Sequence, residues 1–192
     1  MPEAVRDRWE AAALRLFDDT YSFVASGPRS HGEWREDVLP VMARAVGDPR
    51  GWAVLDWDAE DERRRDDPFY PFTDPTAARL REVYEIPGEA AVNLLVAMTD
   101  EWFQVSNIPG FAERRPGMLA DAEILISRYG PDAAFYTTSV DARASSASDF
   151  SDAPDFSEKA GAGRSFTACL MDLGLIAVSD SEVGVFWSFN AN

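Results

Sequence analysis

The chain has 192 residues, of which 46% are hydrophobic, and 34 acidic against 18 basic side chains give it a formal net charge of −16. This size and apolar content predict one globular domain over residues 1–192. The negative charge argues against binding to nucleic acids and membrane surfaces, since neutralising phosphates requires clustered Lys and Arg. Lys159, His31 and Cys169 are the single copies of their residue types, so Schiff-base, thiolate and transition-metal chemistry have few groups to use, and we predict no cofactor and no metal site.

The N-terminal third is predicted to contain two helices and a strand. Apolar side chains recur every three or four residues through the first 25 residues, which predicts an amphipathic helix. A second helix is predicted over residues 32–46, where Pro40 would kink it or begin a new helix. Residues 52–57 are aromatic and β-branched, which favours a strand.

The middle of the chain begins with a polar, proline-interrupted segment, residues 58–74, which we predict to be a flexible acidic surface loop. Asp74, which a proline follows, is typical of a helix N-terminus and predicts a short helix through Tyr84. Residues 90–105 favour two buried strands joined by a tight turn, although one helix through Asp100 fits the periodicity almost as well.

The C-terminal part alternates between the two classes of element. We predict a helix over residues 116–128, a strand over 133–140, a flexible loop or linker over 141–164, and a short capped helix over 166–173. Residues 175–189 have the pattern of a β-hairpin. The mixture of helices and hairpins predicts an α+β fold with a mixed or antiparallel sheet, several packed helices and a C-terminal β-hairpin.

The densest charge cluster lies around the predicted surface loop, with seven acids between positions 56 and 67. Three aromatic residues follow the acids and lie between prolines. Exposed aromatics rimmed by carboxylates are typical of a protein-binding hot spot, unless the loop folds back and buries them. The predicted partner-binding residues are Asp56, Asp58, Glu60, Asp61, Glu62, Asp66, Asp67, Phe69, Tyr70 and Phe72.

Three shorter features have structural interpretations. Asp56 and Asp58 lie two apart at the end of a predicted strand and resemble the Asp-x-Asp signature of metal-dependent glycosyltransferases. No nucleotide-binding half is found, and a solvated acidic loop is the preferred interpretation. His31, with the Gly and Glu that follow it, resembles half of a zinc-deaminase signature whose Pro-Cys-x-x-Cys half is missing, so we interpret His31 as a loop or capping residue. Cys169 lies among apolar residues and is interpreted as a buried structural thiol.

The charge and the lack of catalytic motifs favour an acidic interaction protein that binds and masks a basic protein partner, comparable in physical character to an immunity protein or a DNA mimic. The alternative is a small-molecule-binding protein or enzyme with carboxylate, Arg and Tyr side chains around an aromatic pocket and residues 141–164 as a mobile lid. A homo-oligomeric subunit is a third hypothesis. The single cysteine, and the lack of a signal peptide or a long apolar run, predict a cytoplasmic location.

Overall fold

The computed structural model describes residues 3–18, 20–46, 52–53, 66–139 and 165–190, which form an antiparallel sheet with helices on both faces. The strands of this described part are β1 Ser22–Pro28, β2 Trp52–Ala53, β3 Tyr84–Ile86, β4 Ala134–Thr137, β5 Met171–Val178 and β6 Glu182–Asn190. Its α-helices are α1 Glu3–Leu16, α2 Trp34–Met42, α3 Gly88–Ala97 and α4 Phe111–Ser127. The predicted α+β class and C-terminal hairpin are confirmed.

The sheet has the order β2-β1-β6-β5-β4-β3, and all five neighbouring pairs are antiparallel. The hairpin β5–β6 supplies the two central strands, which pair along their length from Met171 opposite Asn190 to Val178 opposite Val183. β1 pairs with the edge of β6 that faces away from β5, so the first strand of the chain lies beside the last.

Both faces of the sheet are covered. Helices α1, α3 and α4 pack on one face around side chains such as Leu94, Leu125 and Phe186. Helix α2 and two loop segments cover the other face, where Trp187 is fully buried. Because a strand alternates its side chains between faces, Phe186 and Trp187 belong to opposite cores although they are neighbours in the chain.

The first predicted helix was too long, because the chain forms α1 only to Leu16 and enters β1 at Ser22. Pairing with β6 and β2 decides the conformation of this segment, since both neighbours bind its backbone. The predicted helix from Asp74 to Tyr84 was also wrong. Asp74 has a left-handed backbone with φ +46, a short 3-10 helix follows at Arg79–Glu82, and Tyr84 begins β3.

Residues 90–105 do not form the favoured hairpin but α3 followed by turns, so the alternative helical interpretation is nearer. Helix α3 is buried on almost every side, which makes its sequence as continuously apolar as a buried strand. The predicted helix over 166–173 was wrong as well, because β5 begins at Met171.

The remaining predicted elements agree with the structure where it describes them. α2 contains Pro40, as expected. Pro116, the predicted first residue of the next helix, lies inside α4, which begins at Phe111. Trp52–Ala53 and Ala134–Thr137 form strands, whereas the loop 141–164 lies outside the described residues. No helix in the described part of the chain is both long and apolar enough to span a membrane.

Candidate functional site

The predicted partner-binding surface is only partly within the described residues. Asp66 and Asp67 are exposed, Phe69 and Tyr70 are half-buried, and Phe72 is 1% exposed. The alternative that the loop folds back therefore holds for Phe72, which is a core residue and not a contact residue. The other predicted residues, including both carboxylates of the Asp-x-Asp motif, lie outside the described part: Asp56, Asp58, Glu60, Asp61 and Glu62.

Phe72 is buried because it closes the aromatic core on the second face of the sheet. Its ring centroid lies 5.3 Å from that of Trp187 and 5.2 Å from that of Phe23, in edge-to-face geometry in both pairs. The next residue, Thr73, donates its backbone N–H to the carbonyl oxygen of Phe166 at 2.7 Å. Residues 69–73 therefore form part of the layer that covers β1, β5 and β6.

A buried carboxylate holds the neighbouring segment, residues 165–167, on the same face. One oxygen of Asp172 accepts the backbone N–H groups of Phe166 at 2.9 Å and Thr167 at 2.8 Å, together with the hydroxyl groups of Ser165 and Thr167. Its other oxygen accepts the indole N–H of Trp187 at 3.2 Å. Asp172 is 2% exposed, so its charge is stabilised by donors of the protein and not by water.

Arg79 joins these two segments. Its guanidinium lies 4.6 Å over the ring of Phe166, donates to the carbonyl oxygen of Ser165 at 2.6 Å, and also donates to the carbonyl oxygen of Thr73. The arginine thus cross-links residues 69–73 to residues 165–167. We call Asp66–Tyr70, the loop segment whose last two residues belong to this support, the acidic turn.

The acidic turn is ordered by its own backbone. Asp67 accepts the backbone N–H of Phe69 at 2.9 Å on its side chain and that of Tyr70 at 3.1 Å on its carbonyl oxygen. Two exposed carboxylates are therefore displayed beside two half-exposed aromatic rings. Among the residues that the structure describes, no group of three or more His, Cys, Asp or Glu side chains could hold a metal ion. Carboxylates pair with cationic groups and aromatic rings pack against apolar ones, which is the chemistry that these four side chains offer.

The lone histidine lies in the loop between β1 and α2. Its Nδ1 is 2.6 Å from Asp37, a carboxylate with 1% of its side chain exposed that also accepts from Arg29 Nε at 3.1 Å and from the backbone N–H of Ser30 at 3.0 Å. Burial alone would raise the pKa of Asp37, but the hydrogen bonds from His31 and Ser30 outweigh burial and hold that pKa below its ordinary value. His31 is therefore a loop residue as predicted, ordered by Asp37, whereas the N-cap of α2 is Glu33.

Cys169 follows the segment that Asp172 holds. It is half-buried and packs against the core of the second sheet face. The prediction of a structural thiol in apolar surroundings agrees with this packing, but full burial was wrong. The residue lies just before β5, in the segment predicted to be helical, where the chain is close to the surface.

A groove that the sequence did not reveal lies between the start of α3 and the end of α4. Its volume is about 500 Å³, its apolar lining includes Val92 and Phe135, and two exposed carboxylates, Glu89 and Glu123, belong to its lining. No arginine or tyrosine in the described part of the chain lines it, so it differs from the pocket in the small-molecule alternative. The complete lining is Gly88, Glu89, Val92, Glu123, Ile126, Ser127, Gly130, Pro131 and Phe135.

The sequence carried a weak signal for this groove. Glu89 and Val92 are three residues apart on α3, and Glu123 and Ile126 are three residues apart on α4, so each helix places an acid beside an apolar residue on one face. Only the packing of α3 against α4 brings the two pairs together. No protein-family model matches this chain, and comparisons with curated proteins and with solved structures found no match either.

Proposed function

We propose that this protein is an acidic interaction protein that binds and masks a basic protein partner, and that it does so in the cytoplasm. The observation that carries the proposal is the net charge of −16 together with the acidic turn, where exposed carboxylates lie beside half-exposed aromatic rings. Positive partners are attracted over long range by such a charge, which raises their association rate. Aromatic side chains at the centre of the contact then supply the affinity.

The support beneath the acidic turn favours binding. Arg79 and Asp172 fix the two segments that carry it, through hydrogen bonds to main-chain groups of Thr73, Ser165, Phe166 and Thr167. A surface that is already ordered loses less conformational entropy when a partner binds. Phe69 and Tyr70 can therefore act as anchors without a large ordering cost.

The test is capture of a partner from a lysate of the source organism by the tagged protein, at about 50 mM and about 150 mM salt, followed by native mass spectrometry of the eluate. We expect a stoichiometric complex with a basic protein that persists at the higher salt concentration. The variant Asp66→Asn/Asp67→Asn should weaken the complex, since it removes two charges while the amide oxygen of residue 67 can still accept the turn hydrogen bond. Phe69→Ala should weaken it further at both salt concentrations.

The matched control is Glu101→Gln/Asp180→Asn, which removes two charges at exposed positions outside the acidic turn. Equal weakening by the two double variants would mean that only net charge matters and would remove the acidic turn from the proposal. Elution of the bare chain at both salt concentrations, or of the chain with a bound small molecule, would contradict the proposed function.

A further inference from the structure

We propose that the groove between α3 and α4 is a second docking site, and that it takes an apolar side chain flanked by Arg or Lys on a segment of a basic protein. The class of partner rests on the proposed function, but the groove lies apart from the acidic turn in the chain and is built from different elements. The groove would thus give a basic partner a second place of contact, away from the acidic turn.

The lining of the groove fits an aliphatic side chain. Val92 and Ile126 contribute branched side chains from the two helices, and Phe135 of β4 contributes an aromatic ring. Phe135 is 5% exposed and Ile126 is 9% exposed, so the inner part of the groove belongs to the packed core of the first sheet face. A volume of about 500 Å³ is ample for one large apolar side chain and part of its backbone.

Two features keep the groove in place. Gly88, the first residue of α3, lies so close to Phe135 that a Cβ there would be 3.3 Å from the ring. Gly130 has φ +86, a left-handed conformation that lets the chain turn from the end of α4 towards β4. Glycine at these two positions therefore lets the backbone at the start of α3 and at the end of α4 lie where the groove needs it.

The charges around the groove fit a cationic segment. Glu89 and Glu123 line it from opposite helices, and Asp132 is exposed next to the lining residue Pro131. Among the described residues, no basic residue lines the groove. The C-terminal end of α4 adds partial negative charge, whereas the partial positive charge at the start of α3 is offset by Glu89 in its first turn. An arginine or lysine on either side of an inserted apolar side chain would meet a carboxylate.

The test uses three fluorescent pentapeptides as probes, each with a central residue between two pairs of flanking residues. The first has leucine between arginines, the second has serine between arginines, and the third has leucine between glutamates. We expect the leucine–arginine peptide to bind at least tenfold more tightly than the serine peptide, because burial of a leucine side chain is worth about that factor, and the glutamate peptide should not bind.

Two variants locate the site. Glu89→Gln/Glu123→Gln should weaken the leucine–arginine peptide by about two- to tenfold, as expected for loss of two exposed ion pairs. Ser127→Trp places a large ring at an exposed lining position and should abolish the preference for leucine over serine. The control Glu101→Gln/Asp180→Asn should change the affinity for the leucine–arginine peptide by less than twofold. When this peptide is added to the wild-type protein, the largest changes in amide NMR shifts should centre on Val92, Ser127 and Gly130.

Two outcomes of the peptide experiment would overturn the proposal: equal binding of the leucine and serine peptides, or NMR shifts that centre on the acidic turn. A third would be that the chain forms a dimer which Ser127→Trp dissociates but the leucine–arginine peptide leaves intact, since the groove would then hold a second copy of the chain. The defined peptides separate this test from that of the proposed function. If Asp66→Asn/Asp67→Asn prevents partner capture but leaves peptide affinity unchanged, both surfaces act independently. If partner capture fails but the groove still selects the leucine–arginine peptide, the proposed function is refuted and the proposal that the groove is a docking site stands.

Discussion

Replacing Asp172 by alanine should destabilise the protein strongly, because the carboxylate is the common acceptor for the segment that supports the acidic turn. The substitution leaves the buried N–H groups of Phe166 and Trp187, which are 2% and 0% exposed, without an acceptor, whereas the N–H of Thr167 keeps Ser165 Oγ at 3.3 Å. Each unsatisfied buried donor costs about 1–3 kcal/mol, which gives about 2–6 kcal/mol for the two. Residues 165–167 can detach and bind water, so we expect a loss of about 3–5 kcal/mol.

The assay is equilibrium unfolding in urea, followed by circular dichroism and by tryptophan fluorescence. Asp172→Asn is the informative second variant. Its amide oxygen can still accept the hydrogen bonds from the N–H groups of Phe166 and Thr167, whereas the indole N–H of Trp187 then faces an amide N–H group. We expect a loss of about 1–3 kcal/mol for Asp172→Asn. The control Asp180→Asn, at an exposed turn position, should stay within about 0.5 kcal/mol of the wild type. A loss below about 1 kcal/mol for Asp172→Ala would refute the reasoning, since buried donors would then have other acceptors.

Three further predictions concern the rest of the described structure. The pKa of Asp37 lies below its ordinary value of 3.8, so this carboxylate contributes stability that is present above about pH 3.8 and is lost as the pH falls through the folded-state pKa. In thermal unfolding between pH 2 and 6, the melting temperature of Asp37→Asn should therefore fall less steeply with acid than that of the wild type. Arg128 and Glu182 form a buried two-point ion pair at 3.1 and 2.9 Å. Arg128→Met should cost about 3–5 kcal/mol in urea unfolding because it leaves a buried carboxylate without its cation, and an unchanged unfolding midpoint would contradict this reasoning. Gly174→Ala would place a Cβ in steric overlap with the ring of Trp187, so we expect a loss of about 1–3 kcal/mol in the free energy of unfolding and a changed near-ultraviolet circular dichroism signal. A variant with wild-type values for both would contradict the close packing.

Predictions from sequence succeeded where one local pattern had one structural solution. The hairpin of β5 and β6 is an example, because two apolar strand-like runs joined by a short polar turn have few other ways to bury their side chains. Predictions failed where burial on all sides removed the periodicity, as in α3, or where pairing across the sheet overrode a helical pattern, as in β1. The aromatic loop shows the same limit, since nothing local indicates that Phe72 packs against Trp187.

The sequence by itself determined the class of the protein and the sign of its charge. Composition sets the net charge of −16, and alternation of elements sets an α+β fold, since both depend on residue identity and short-range order. Only the tertiary structure decided which acids lie beside apolar surface. Asp172 became a buried acceptor for Trp187 on the neighbouring strand, and Glu89 and Glu123 became lining residues of one groove, because these roles depend on how strands and helices pack. Asp37 anchors a loop through residues 29–31, only six to eight positions away, but its burial is likewise set by the packing of the fold.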